Sequence, residues 1–209
     1  MVAGLIAESF TRLEQVEPVA DLPMTELKHD VELVRRIAAT EDQALRELYA
    51  AYGQRMYAYA LRLTKDPAQA EDVVQDALVA AWRSADRFRG EGRVVAWLLG
   101  IVHHIALKAI RHTSQPISEA MEETLAAPEP LPEERVQVDE QAQWVRQGLQ
   151  SLSANHRAVL ELVFYQGLSL NEVARVCKCP VGTVKSRLSY ARRHLRGVLS
   201  RSPQVEDWR

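Results

Sequence analysis

The stretch from Thr113 to Ala142 decides how this chain can fold. It carries Glu119, Glu122, Glu123, Glu129, Glu133, Glu134, Asp139 and Glu140 against Arg135 alone, and it holds Pro116, Pro128, Pro130 and Pro132. Like charges repel, prolines interrupt backbone pairing, and few apolar groups remain to bury. The stretch therefore reads as an extended linker that divides the 209 residues into two modules. With 47% hydrophobic residues, the chain has enough apolar side chains for a core on each side. Neither side alternates as a strand would, so the expected fold class is all-α: two helical domains joined by an acidic, proline-containing linker.

The charge pattern places the boundaries at an N-terminal extension 1–28, a helical domain 29–112, the linker 113–138, a second helical domain 139–201 and a tail 202–209. The extension sets Glu8, Glu14, Glu17, Asp21 and Glu26 against Arg12 and Lys28, and it reads as a mobile or partner-bound arm. The longest unbroken apolar stretch, Val94 to Val102, falls short of the roughly 18 residues a bilayer crossing requires. No basic segment leads into an apolar one at the N-terminus, so a cytoplasmic protein without membrane insertion is expected.

In the first module, Asp66-Pro67 reads as an N-cap followed by proline at the first helical position, with Gln69 placed for a capping box. Ala70, Val73, Val74, Ala77, Leu78, Ala81 and Trp82 then recur at helical spacing as one buried face, which turns Gln69, Asp72, Gln75, Asp76 and Val79 outward. A second long helix is predicted over 93–111, with Val94, Trp97, Leu98, Ile101, Ile105 and Ala109 as its apolar stripe. Before it runs Arg87-Phe88-Arg89-Gly90-Glu91-Gly92-Arg93. Cations and one aromatic ring on a glycine-freed loop suit phosphates and an unstacked base, although an ordinary basic interhelical loop with Phe88 tucked inward fits the same residues.

The second module is strongly basic, with nine Lys and Arg between Ser151 and Arg201 against Glu161 and Glu172. Ser153 stands where it can cap a helix carrying Val159, Leu160, Val163 and Phe164, and Gly167 sits where that helix should end. Ser169-Leu170-Asn171-Glu172 spells a capping box for a short helix, and Pro180 opens the next one after a brief turn. Helix, turn, helix is the arrangement whose second helix enters the major groove. Projected at 100° per residue, Val184, Leu188, Ala191 and Leu195 share one side. Gly182, Ser186, Ser189 and Arg193 lie opposite, flanked by Lys185 and Tyr190, a small, polar and cationic face suited to a groove.

Cys177-Lys178-Cys179 offers one Cys-x-Cys without a second pair and with only His194 close in sequence, so neither a zinc site nor any other metal or cofactor is expected. Residues so close rarely bridge, which leaves packing as the main role and thiol oxidation as the alternative. His103 and His104, adjacent on a helix, point about 100° apart and do not readily share one metal. Hence no catalytic residue is assigned.

Through "ELYAAYGQRMYAYALRLTKDPAQAEDVVQDALVAAWR", "FRGEGRVVAWLLGI" and "GLSLNEVARVCKCPVGTVKSRLSYARRHLR", in that order around an acidic linker, the chain resembles bacterial RNA polymerase sigma factors of the extracytoplasmic-function group within the sigma-70 family. The resemblance implies a non-enzymatic initiation factor whose partners are core RNA polymerase, promoter DNA and an anti-sigma factor. It implies that Asp72, Gln75 and Asp76 dock on the coiled coil of the largest polymerase subunit. It further implies that Arg87, Phe88, Arg89, Gly92, Arg93, His104 and Lys108 belong to the element that opens the minus-ten box and captures a flipped base. Pro180, Gly182, Thr183, Lys185, Ser186, Ser189 and Tyr190 match the minus-thirty-five readers, and Arg193 adds a phosphate contact on the same face. Val94 and Val95 stand where the family often has an aromatic residue, and His104 where asparagine is common. Lys178 replaces a frequent turn glycine; a left-handed residue there costs roughly 1 kcal/mol or more, so the turn is expected to be built differently. A stand-alone helix-turn-helix regulator with a sensing N-terminal module is the competing function. It would require a ligand pocket or a phosphorylatable aspartate on a strand, and neither pattern is present in the sequence.

Overall fold

The structure, a computed structural model, describes residues 24–90, 92–113 and 148–199. The arm before Met24, the linker expected over 113–138 (save Thr113) and the tail lie outside the described residues. Those described form helices and no strand: α1 Met24–Ala38, α2 Asp42–Thr64, α3 Pro67–Ser84, a 3₁₀ turn Ala85–Arg87, α4 Val94–Thr113, α5 Ala154–Leu160, α6 Leu170–Val176 and α7 Val181–Leu199. Helix α1 starts inside the segment read as the arm. It carries on into the first module, where Leu33, Val34 and Ile37 are buried along it.

Helices α2, α3 and α4 form the core of the first module, with α1 laid across them. The Asp66 cap and the Pro67 position of α3 are as the sequence predicts: the Asp66 carboxylate accepts from the backbone N–H of Ala68 (2.9 Å) and Gln69 (3.2 Å), and Pro67 takes the first position. Ala70, Val73, Val74, Ala77 and Ala81 are buried, Leu78 and Trp82 pack against them, and Asp72, Gln75, Asp76 and Val79 face out.

Helix α4 departs from the single predicted stripe. Val94 and Leu98 are buried, but Trp97, Ile101, Ile105 and Ala109 are only partly so, while Leu99, Val102, His103 and Ala106 go deepest. The cause is a helix apolar on nearly every side, which packs on α2 and α3 and also on α6 of the second module. Its span Val94–His112 is long and apolar enough to cross a membrane by length and composition, more than the Val94–Val102 run suggests. Contacts with both modules account for that apolarity here.

In the second module α5 runs into a π-helical segment, Glu161–Tyr165, which nothing in the sequence announced; the widened turn leaves Glu161 buried. Ser153 occupies the N-cap of α5, but its hydroxyl pairs with His156 Nδ1 at 2.7 Å and makes no capping bond to the backbone. Gly167, at φ +62°, ends this stretch. The capping box of α6 is complete, with Ser169 and Glu172 exchanging side-chain bonds to each other's backbone N–H at 2.8 and 3.3 Å.

The turn at Lys178 overturns the expectation that it avoids left-handed backbone: its φ is +48°. Two backbone bonds hold it, Lys178 N–H to Arg175 O (3.2 Å) and Cys179 N–H to Ala174 O (3.0 Å), the Schellman pattern in which glycine usually stands at this place. They offset the steric cost, and the exposed lysine side chain crowds nothing in the core. Helix α7 follows the projection, with Val184, Leu188, Ala191 and Leu195 buried and Gly182, Ser186, Ser189 and Arg193 exposed.

Candidate nucleic-acid interface

Three surfaces gather the residues singled out in the sequence. The first is the outer face of α7. Gly182, Lys185, Ser186, Ser189, Tyr190 and Arg193 are exposed on it, with Thr183 half-buried and Pro180 exposed just ahead. Pro180 stands before the helix and not within it: its carbonyl accepts from Thr183 (2.9 Å) and Val184 (3.2 Å). Tyr190 is bracketed by two rings, His156, which residue spacing does not place beside it, at 4.4 Å, and His194 at 6.2 Å between centroids. Ser151 Oγ holds His194 Nε2 at 2.7 Å, matching the Ser153 bond to His156.

The second surface is the loop ahead of α4. Arg87 and Arg89 are exposed, and the Phe88 ring rests 5.1 Å from Trp97, half-buried as the plainer reading of the loop anticipated. Gly92 has φ +103°, a backbone conformation that favours glycine, and a Cβ built there would lie 3.0 Å from the flexible end of the Arg175 side chain. A cleft of about 650 Å³ lies here, walled by Arg87, Phe88, Arg89, Trp97 and His104 on one side and by Arg175 and Lys178 on the other. His104 is exposed, its Nδ1–H donating to Gly100 O at 2.8 Å, and Lys108 is exposed one turn on. His103 points the other way. It is 3% exposed, pairs with the Tyr59 hydroxyl at 2.8 Å, and its pKa is lowered to about 4 by burial and then by His104 and Arg187. The two imidazoles therefore differ in exposure, although their rings lie 5.8 Å apart, edge to face.

The third surface is the exposed side of α3 with Asp72, Gln75 and Asp76. Beside it Tyr49 and Val79 are 54% and 49% exposed, and a cleft of about 590 Å³ opens between α2 and α3 along Tyr49, Tyr57, Gln75 and Leu78. Tyr49 and Tyr57 were not singled out in the sequence, and exposed aromatic rings are its usual marker of a docking surface.

The modules meet through arginines. Arg93 Nε and Nη2 grip both Glu172 oxygens at 2.7 and 2.9 Å, and Nη2 also donates to Gly167 O at 2.7 Å. Arg55 donates to the Gln166 side chain and carbonyl at 3.1 and 3.0 Å, and Arg62 pairs with the buried Glu161 at 3.0 Å while its guanidinium lies 4.3 Å over Tyr165. Burial pushes the Glu161 carboxyl up to about 7 against the opposing pull of Arg62 and Gln166. The Glu172 carboxyl is held below its usual range: burial works against this, but the bonds from Arg93 and Ser169 prevail.

Among the described residues no three His, Cys, Asp or Glu side chains gather as a metal-ligand set. Burial, and then Cys179, pushes the Cys177 thiol up to about 12, against a lowering by Arg187, so it carries little of the reactive thiolate. In native protein at pH 8, Cys177 is expected to react with iodoacetamide on the order of a thousandfold more slowly than after urea unfolding, given an ordinary thiol near 8.5. Mass spectrometry of the labelled peptide checks this; native and unfolded rates within threefold would overturn the burial argument.

The Sigma-70 region 2 family model matches residues 48–115, and the Sigma-70, region 4 model matches residues 148–197. The ECF RNA polymerase sigma factor SigL of Mycobacterium tuberculosis is 35% identical over 163 residues, covering 78% of this chain and 92% of its own. The RNA polymerase sigma-H factor of Pseudomonas aeruginosa is 30% identical over 175 residues, covering 79% and 91%. Among solved structures, CnrH in complex with the cytosolic domain of CnrY matches with a TM-score of 0.61 at 25% identity, over 82% of this chain and 97% of that one. The sigma factor RpoE in complex with the anti-sigma factor NepR from Bartonella quintana gives 0.56 at 26%, over 75% and 97%.

Proposed function

Because the chain belongs to the extracytoplasmic-function sigma factors of the sigma-70 family, we propose that it is an alternative sigma factor directing core RNA polymerase to its own promoters. The observation that carries this is the succession on one chain of a region 2 module and a region 4 module, each with its candidate contact surface exposed at least in part. It acts in the cytoplasm and catalyses no reaction itself. Promoter choice comes from α7: Lys185, Ser186 and Ser189 reach base edges of the minus-thirty-five box while Arg193 takes a phosphate. Arg87, Arg89 and Phe88 with the α4 residues His104 and Lys108 engage the opened minus-ten strand, the ring stacking on a base and the cations following the backbone. An anti-sigma factor holds the protein inactive, a reading supported by the relative from Bartonella quintana captured in such a complex.

The test is run-off transcription with purified bacterial core polymerase on a pool of randomised promoters. Protein-dependent transcripts sharing two upstream boxes are expected; a core polymerase that neither binds the protein nor starts with it would favour the stand-alone regulator. Asp72→Ala with Gln75→Ala should weaken core-polymerase affinity about tenfold or more and leave duplex binding by the second module unchanged, since an exposed face fixes docking without bearing on the fold. Equal polymerase affinity in wild type and double variant would remove α3 from the interface.

A further inference from the structure

Helix α7 does not present Tyr190 alone. The ring is 46% exposed on the face that carries Ser186 and Ser189, yet neighbours on two elements confine it. One turn further along α7 the His194 ring lies nearly parallel to it, at 10° and 6.2 Å between centroids. From α5, which stands outside the helix-turn-helix pair, the His156 ring comes to 4.4 Å at a tilt of 31°. Both imidazoles are themselves tethered. Ser153 Oγ pairs with His156 Nδ1 at 2.7 Å. Ser151 Oγ donates to Gly148 O at 2.9 Å, and with its one proton committed there it accepts from His194 Nε2–H at 2.7 Å. The two serines lie at and just before the N-cap of α5, so an array that begins at one helix start ends on the reading face of another helix.

A long exposed side chain samples several rotamers, and ordering it on a partner costs binding free energy. Rings stacked beside Tyr190 select its rotamer beforehand, so the phenol meets DNA already aimed. With His156 against one face, Tyr190 offers its ring edge and hydroxyl, and edges are all that the stacked bases of a closed duplex present in the major groove. We infer that His156 and His194 are positioning residues for promoter recognition: they hold Tyr190 edge-on to the minus-thirty-five duplex, so that base choice at the step it reaches is set jointly by α5 and α7. The inference rests on the reading of α7 as the minus-thirty-five reader, and it adds two residues, one of them outside the helix-turn-helix, that touch Tyr190 and not the base. A thymine methyl or a purine acceptor is met or missed according to the angle of the ring, whereas a phosphate contact from Arg193 is indifferent to it.

The experiment is transcription by holoenzyme on a promoter library whose minus-thirty-five box is randomised, with transcripts sequenced and the ratio of the preferred to the next base taken at each position. Tyr190→Ala should lower that ratio about tenfold at one position and leave the others within about twofold. His156→Ala and His194→Ala should each lower it about threefold or more at the same position, while His156→Phe, which keeps a ring there, stays within about twofold of wild type. If His156→Ala loses core-polymerase affinity, His156→Gln, which can still pair with Ser153 but has no ring, is measured instead and should relax the same position. A purely structural role would lower transcription without moving any ratio, and a phosphate contact would do so with a flatter salt dependence. Either of these results for one histidine, or relaxation at other positions, removes that residue from the array. For both histidines, with Tyr190→Ala still relaxed at one position, it overturns the inference and leaves the α7 reading standing. Unchanged ratios in Tyr190→Ala, with Lys185→Ala relaxed, remove Tyr190 from the readers and the inference with it; unchanged ratios in both overturn the α7 reading itself.

Discussion

Tyr59→Ala is expected to cost about 3–5 kcal/mol of unfolding free energy, the range for emptying an aromatic site in a close-packed core. Tyr59 is fully buried between α2 and α4, its ring parallel to that of His103 at 6.2 Å. A natural domain has only about 5–15 kcal/mol in total, so the variant would leave α4 poorly held and transcription would fall with it. Tyr59→Phe separates packing from polarity. It keeps the ring and strands the His103 nitrogen without its 2.8 Å partner, which should cost about 1–3 kcal/mol. Urea unfolding followed by circular dichroism measures both. A Tyr59→Phe protein as stable as wild type would mean that the hydrogen bond contributes nothing net.

The second large effect is concealed in the wild type because two buried groups oppose each other. His103 has a native pKa near 4 against an ordinary 6.5, so between those values the unfolded chain binds the extra proton and stability falls as pH is lowered. Glu161 has a native pKa near 7 against an ordinary 4.5, so over that window the native protein binds the extra proton and stability falls as pH is raised. Each slope approaches about 1.4 kcal/mol per pH unit where it is fully developed, and between pH 4.5 and 6.5 they nearly cancel. Glu161→Gln should therefore reveal a protein whose stability climbs by about 2–3 kcal/mol from pH 4.5 to 6.5 relative to wild type, and His103→Gln one whose stability drops by a similar amount. Chemical denaturation at several pH values reads this out. Parallel pH profiles for Glu161→Gln and wild type would show that the Glu161 carboxyl titrates normally in the native state.

What the sequence disclosed and what it withheld follow from the range of the forces involved. The α6 capping box, the Asp66 cap and the two faces of α7 depend on neighbours within a turn or two, and residue spacing captures them. Helix α4 defeats the same method: a helix buried against two modules has no single stripe, so Trp97, Ile101 and Ile105 were given a depth that belongs to Leu99, Val102 and His103. The left-handed Lys178 reads as improbable in isolation and is held by bonds to Ala174 and Arg175 that residue preference does not reveal. Arg55 and Gln166 lie 111 residues apart, and no local pattern pairs them. The exposed site residues were legible by chemistry, as small, cationic or aromatic groups on polar faces, whereas Tyr49, Tyr57, His156 and His194 gain their significance only from neighbours brought in by the fold.

The Arg93–Glu172 contact also makes the two modules yield together. Arg93, at the foot of α4, closes its fork on the carboxylate that completes the α6 capping box, so a helix start in one module is held in part by a side chain of the other. Heat or urea that loosens one module therefore strips a bidentate pair from its neighbour, and the chain melts more nearly as one unit than its division by an acidic stretch suggests.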